Sequence, residues 1–201
     1  MSDIGERQMR MVSSDFTTRD EDGNPTIEGY FSVFNSNYDI GPGMSESVAP
    51  GAFDNTLGND IRALINHDTT LVLGRTKSNT LELKQDSHGL WGKIRINPKD
   101  TEAMNLYARV ERGDVSGCSF GFDIREEDTE ISESGDVHWT IKDVELYEVS
   151  CCTFPAYEDT NISARTSQRD EMRKREVQGW KEMLKARLKD GTESDASQEA
   201  D

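Results

Sequence analysis

The chain has 201 residues, 33% of them hydrophobic, with 16 glycines; that is enough for one ordinary hydrophobic core and too little for a large multidomain machine. Lys and Arg number 23 against 39 Asp and Glu, a formal charge of -16, which argues against a general phosphate-binding surface and so against nucleic acid as a partner. No run of about 18 apolar residues is present to span a bilayer, and the start MSDIGERQMR has no apolar stretch that would serve as a signal peptide, so a soluble chain without a membrane partner is expected.

Charge and composition divide the chain into three parts: a flexible segment 1–20, a body 21–164 and a tail 165–201. Residues 165–189 hold nine Lys or Arg against four acids, while 190–201 hold five acids and no base. The two stretches cancel, so the whole net charge belongs to residues 1–164. In the body, Thr26–Phe34 is rich in aromatic and branched residues behind the turn-forming DGNP, which predicts an early strand. NSNYDIGPGMSE then reads as a loop, and SVAPGAFDNTL as a Pro-Gly turn leading into a short helix from about Ala52. IRALINH, 61–67, alternates as a strand does, with Ile61, Ala63, Ile65 and His67 on one face.

TLELKQD and GLWGKIRI form a predicted hairpin around 86–89. NPKDTEAMNLYARVER predicts the body's best helix, with Pro98 and acids near its start and Ala103, Leu106, Tyr107 and Val110 on one face. Two strands follow, Ser116–Ile124 and Val137–Phe154, joined by the acidic loop EEDTEISESGD. In the tail, Val177, Trp180, Leu184 and Leu188 recur at spacings of three and four, as an amphipathic helix requires, with Gly191 as its stop. That helix is either a flank packed on the body or a docking segment. GTESDASQEAD has too little apolar surface to offset its ordering entropy and is expected to be disordered. The pattern is α+β: a mainly antiparallel, barrel-like or folded sheet with a few flanking helices, plus the C-terminal amphipathic helix.

The three cysteines are Cys118, Cys151 and Cys152. Two are sequence neighbours poorly placed to bridge each other, and no C-x-x-C or close histidine pair is present, so neither a disulfide framework nor a metal or cofactor is expected, in keeping with a reducing compartment. Gly117-Cys118-Ser119-Phe120-Gly121 carries the letters of a hydrolase nucleophile elbow. An elbow needs a helix directly afterwards, whereas Phe122 and Ile124 continue a strand pattern. Alternation instead puts Cys118, Phe120 and Phe122 on one face and Ser119 on the other between two glycines, where a peptide would reach its hydroxyl.

A serine nucleophile needs a base, and imidazole suits neutral pH. His67, ending an apolar strand, is better placed than His88 in a turn or His138 beside Trp139. An orienting partner for the ring would come from IKDVELYEVSCCTF, where Leu146, Glu148, Ser150 and Cys152 share a face. Glu148 is an odd carboxylate in such company unless it has a partner or guards a sheet edge. His138 is the alternative third member. The cysteines have bulky neighbours and no local cation, which favours buried packing over nucleophilic roles.

These pieces resemble the prohead maturation proteases of tailed double-stranded DNA phages, serine peptidases related in fold to the herpesvirus assembly proteases. The resemblance covers about Ile27–Ala164, on IEGYFSVFN, VAPGAFDNTL, ALINHD, LGRT, GDVSGCSFGF and LYEVSCCTFPAYEDTNISA in that order. It implies a herpesvirus-protease-like fold, His67 as base and Ser119 as nucleophile. The third member stays open between Glu148 and a second histidine, and Ser116 competes with Ser119 but points to the opposite face by alternation. The resemblance also implies cleavage of scaffold protein, or of the scaffolding segment of the major capsid protein, inside the assembling procapsid in the host cytoplasm, together with self-cleavage and self-association. Two competing classes are a non-catalytic assembly module that binds capsid or scaffold protein, for which Ser119 would be buried and unreactive, and an unrelated esterase with a helix directly after Gly121.

Overall fold

A computed structural model describes residues 8–13, 16–21, 23–154 and 159–196. The chain divides into two units, 1–161 and 162–201. The first unit is built from strands β1 (Gln8–Ser13), β2 (Thr17–Glu21), β3 (Asn24–Val33), β4 (Tyr38–Gly41), β5 (Met44–Val48), β6 (Arg62–Ile65), β7 (Asp68–Arg75), β8 (Leu81–Gln85), β9 (Gly89–Arg95), β10 (Gly117–Ile131) and β11 (Val137–Cys152), with helix α1 (Thr101–Arg112). Helix α2 (Asp159–Ala196) makes up nearly all of the second unit.

Among the described residues the strands form two sheets. In the larger, the long antiparallel hairpin β10–β11 is flanked by β1 on the β10 side. The outer edge of β11 carries two parallel partners, β5 along 137–141 and β6 along 148–151, and these are extended by antiparallel β4 and β7. The smaller sheet is β2-β3-β9-β8, antiparallel throughout. The α+β expectation holds, but neither sheet closes on itself, so the barrel-like expectation gives way to two sheets with open edges. One apolar cluster joins Ile27 and Phe31 of β3, Leu90 and Ile94 of β9, Phe120 and Phe122 of β10, Val149 and Cys151 of β11, and all four predicted face residues of α1. Each fully buried Phe or Ile stabilises the fold by about 1.5–3 kcal/mol. The Asp100 carboxylate accepts from the N–H groups of Glu102 and Ala103 at 3.0 and 3.2 Å and starts α1; Gly113, at φ 85°, ends it.

Several local expectations are corrected. The segment read as flexible, 1–20, contributes β1 and most of β2. The loop over 35–46 contains β4 and the start of β5, because β11 offers an edge with which β5 pairs in parallel, a contact no local pattern reveals. The short helix near Ala52 is a series of turns, with Ala52 N–H bonding Ala49 and Asp54 N–H bonding Gly51, since Gly51 at φ 93° cannot start a helix. The acidic loop is mostly strand: 126–131 pair with 137–143, and Lys142 offsets the charge at Glu126 and Asp128, 3.4 and 3.1 Å away. Gly191 does not stop α2, because one glycine costs a helix only about 1 kcal/mol relative to alanine. Of the stretch read as disordered, 191–196 continue α2 and 197–201 lie outside the described residues. Val177, Trp180 and Leu184 of the tail stripe are exposed; the side chain of Leu188 lies outside the described residues.

Candidate active site

The site lies on the face of the large sheet opposite the apolar cluster, and a β-bulge creates it. Phe122 pairs with Leu146, but Gly121 pairs with Glu148, so Tyr147 is an extra residue on β11. The insertion reverses side-chain parity. Leu146 therefore enters the core while Glu148, Ser150 and Cys152 emerge on the other face, which corrects the expected sharing of one face by Leu146 and Glu148. Tyr147 secures the bulge by donating its hydroxyl to Asp123 Oδ2 at 2.7 Å. Across the ladder, Ser150 stands opposite Ser119, Cys152 opposite Gly117 and Glu148 opposite Gly121. Gly121 is required here, because a Cβ would fall inside contact distance of Glu148 Oε1.

His67 reaches this face from a two-residue turn rather than from the end of a strand. Ile65 pairs with Asp68, and Asn66 and His67 between them have φ of 49° and 62°, a conformation in which Asn and His are enriched among non-glycine residues. The turn is tied to the end of β11: Asn66 N–H donates to Cys151 O at 3.0 Å, Thr153 N–H to Asn66 Oδ1 at 2.9 Å, and His67 N–H to Ser150 Oγ at 3.3 Å. The parallel pairing of β6 with β11 thus delivers a residue 81 positions upstream onto Glu148, and His67 Nδ1 lies 2.6 Å from Glu148 Oε1. The other carboxylate oxygen accepts from Ser150 Oγ at 2.6 Å. His67 Nε2 faces Cys152 Sγ at 3.8 Å.

Burial alone lowers the imidazole pKa; hydrogen bonding with Cys152 and Glu148, and the Glu148 charge, outweigh it and hold His67 raised to about 10. In the neutral ring, the Nδ1 proton directed at a carboxylate selects the tautomer whose Nε2 can accept a proton. Ser119 is 0% exposed, and its hydroxyl has no hydrogen-bond partner among the described residues. The expected open approach to its oxygen is therefore corrected: Ser119 is on the right face but covered.

The structure brings Ser119, His67, Glu148 and Cys152 to one face and leaves His138, His88 and Ser116 elsewhere. His138 has both ring nitrogens engaged, Nδ1 with Ser45 Oγ at 2.8 Å and Nε2 with Ser47 Oγ at 2.9 Å. His88 packs edge-on against Tyr30, and Ser116 is exposed just before β10. All three cysteines are buried and unbridged, and burial pushes the Cys151 thiol well up. The helix that an esterase elbow demands is absent, since β10 runs on to Ile131. No cluster of His, Cys, Asp or Glu among the described residues could hold a metal ion. Sequence reasoning gave Ser150 no role, read Cys152 as buried packing and read Gly121 only as open space beside Ser119; the alternation on β11 was the available signal for the first two, and the bulge obscured the third.

Beside Glu148 opens a groove of about 290 Å³ lined by Asp60, Arg62, Leu64, Thr69 and Val72. The LGRT segment supports its wall: Arg75 binds Asp60 through Nε at 2.6 Å and Nη2 at 2.5 Å, and Thr76 Oγ1 donates to Asn59 O at 2.7 Å. Hydrogen bonding from Arg75 is the main reason that the Asp60 pKa is lowered to about 2.

Comparison with known proteins bears on the family of the chain. The model of the caudovirus prohead serine protease family matches residues 13–175. The prohead protease of Enterobacteria phage HK97 is 35% identical over 164 residues, spanning 79% of this chain and 68% of that protein. A solved structure of the bacteriophage T4 capsid assembly protease aligns over 75% of this chain and 100% of that one, with a TM-score of 0.47 and 12% identity. A covered Ser119 matched the assembly-module reading, but the family match decides between the classes: the chain belongs to the caudovirus prohead serine proteases, the serine proteases of phage capsid maturation.

Proposed function

We propose that Ser119 is the nucleophile, His67 its general base and Glu148 the residue that orients the base, and that the enzyme cuts scaffold protein, or the scaffolding segment of the major capsid protein, inside the procapsid. The observation that carries this reading is the 2.6 Å contact between His67 Nδ1 and Glu148 Oε1 on the sheet face that Ser119 shares. Ser119 Oγ attacks the scissile carbonyl as its proton passes to His67 Nε2. The imidazolium then protonates the leaving amine, and water, deprotonated by His67, hydrolyses the acyl-enzyme. Glu148 keeps the ring in register and stabilises its cationic form. Because Ser119 is covered, the substrate enters only after that cover moves, and the groove beside Glu148 receives a flanking side chain. Self-cleavage falls in the charged region 165–189.

The test is coexpression of the chain with its capsid and scaffold proteins, followed by the masses of all fragments. Fragments that vanish with Ser119→Ala and with His67→Ala but persist with Ser116→Ala support the assignment. Loss only with Ser116→Ala moves the nucleophile. An intact mass showing only full-length enzyme after procapsid maturation removes self-cleavage.

A further inference from the structure

Resting on the Ser119–His67–Glu148 reading, we propose that Ser150 is a positioning residue, whose hydroxyl locks the carboxylate and the base to each other. Its Oγ donates to Glu148 Oε2 at 2.6 Å and accepts the backbone N–H of His67 at 3.3 Å. One buried hydroxyl therefore binds the orienting acid and the turn that carries the base. A glutamate side chain has a soft terminal torsion, so a carboxylate held through one oxygen can swing about it. A donor on the second oxygen fixes the plane of the carboxylate, and with it the direction in which Oε1 meets Nδ1.

The same hydroxyl also divides the work of two facing serines. Ser150 stands opposite Ser119 across the ladder, and both are fully buried. A hydroxyl carries one proton, and that of Ser150 is committed to Glu148. Ser119, whose oxygen has no partner among the described residues, keeps its proton uncommitted for the proposed transfer to His67. A residue that only filled space would need neither bond. The strand alternation that places Ser150 beside Glu148 and the turn that aims His67 N–H at its oxygen are separate features of the fold, and they converge on one atom.

The full-length enzyme is assayed with a quenched fluorescent peptide spanning a junction mapped in the coexpression experiment, comparing Ser150→Thr with Ser150→Val. These two replacements have the same shape and differ only in the hydroxyl, so both meet the same packing constraint. Threonine is expected to stay within about threefold of the parent, while valine lowers kcat about 10–100-fold with KM unchanged, the loss typical of an outer-shell hydrogen bond. In the Glu148→Gln background the valine is expected to add almost nothing, because Ser150 acts through that carboxylate. Rates are divided by the active fraction, taken from the end point of fluorophosphonate incorporation, so misfolding does not register as lost positioning. Equal rates for Thr and Val, or the same fold-loss by Val in both backgrounds, overturn the proposal. If instead Ser119→Ala or Glu148→Gln cleaves at the parent rate, the underlying triad fails; the two failures are distinguishable.

Discussion

Gly121→Ala tests the link between the bulged ladder and catalysis without touching any reacting group. A Cβ built on Gly121 falls inside contact with Glu148 Oε1 and lies 3.1 and 3.2 Å from Cδ and Cγ of the same side chain. Carbon needs about 3.5 Å or more of clearance, so the carboxylate must retreat by on the order of 1 Å. The same retreat stretches the 2.6 Å contact with His67 Nδ1 beyond the range of a hydrogen bond. Misplacement on this scale lowers turnover about 100-fold, or about 2.7 kcal/mol of transition-state stabilisation. Stability changes less. Alanine in a strand is better than glycine by roughly 0.5–1 kcal/mol, which partly offsets a buried carboxylate that loses a partner at about 1–3 kcal/mol. Peptide cleavage and thermal melting are measured beside Gly58→Ala, whose added Cβ meets nothing within 4 Å. Parent-like cleavage by Gly121→Ala refutes the argument, as does an equal loss in Gly58→Ala.

The remaining predictions concern charge. With the His67 pKa raised to about 10, neutral Nε2 becomes more abundant as pH increases, so kcat/KM is expected to climb into the alkaline range. Glu148→Gln removes a main cause of the shift and moves that limb downward; a pH–rate profile that stays in place contradicts it. The sign for stability is opposite. A base whose pKa is higher folded than unfolded contributes fully below the unfolded value of about 6.5, and the contribution is lost as pH rises through about 10, which denaturant melts between those limits will read. Glu148→Gln itself is expected to lower kcat by up to about 10⁴-fold, as when a triad carboxylate is neutralised, with a far-ultraviolet circular dichroism spectrum like the parent's. Away from the site, Arg10 of β1 binds both oxygens of Glu46 on β5 in a buried pair and lies over the Phe122 ring. Arg10→Ala strips the guanidinium from a buried carboxylate, at a cost of about 3–5 kcal/mol. Thermal melting is expected to fall by on the order of 10 °C.

The sequence by itself determined α1 and the strand that carries Ser119, whose signals are local, while other local signals, at Ala52 and Gly191, misled. The alternation of Cys118, Phe120 and Phe122 put Ser119 on the far face of a strand, and the same pattern rejected the elbow reading. Four apolar positions, Pro98 and an acidic start defined α1, because helix starts and helical period act over a few residues. Histidine chemistry, strand alternation and the family motifs singled out His67, Ser119 and Glu148. Only the tertiary structure decided that His67 meets Glu148 and that Ser119 shares their face. The bulge at Tyr147 sets which face Glu148 uses; it shifts the apolar period of β11 from Val144 and Leu146 to Val149 and Cys151, but only the paired strand shows that shift to be a bulge. The turn that carries His67 is fixed by parallel pairing of β6 with β11, a contact between segments more than 80 residues apart, and so is the hydroxyl of Ser150 between acid and base. The cover over Ser119 and the open edges of both sheets likewise depend on which surfaces pack together. That choice belongs to the whole core; no window of sequence contains it.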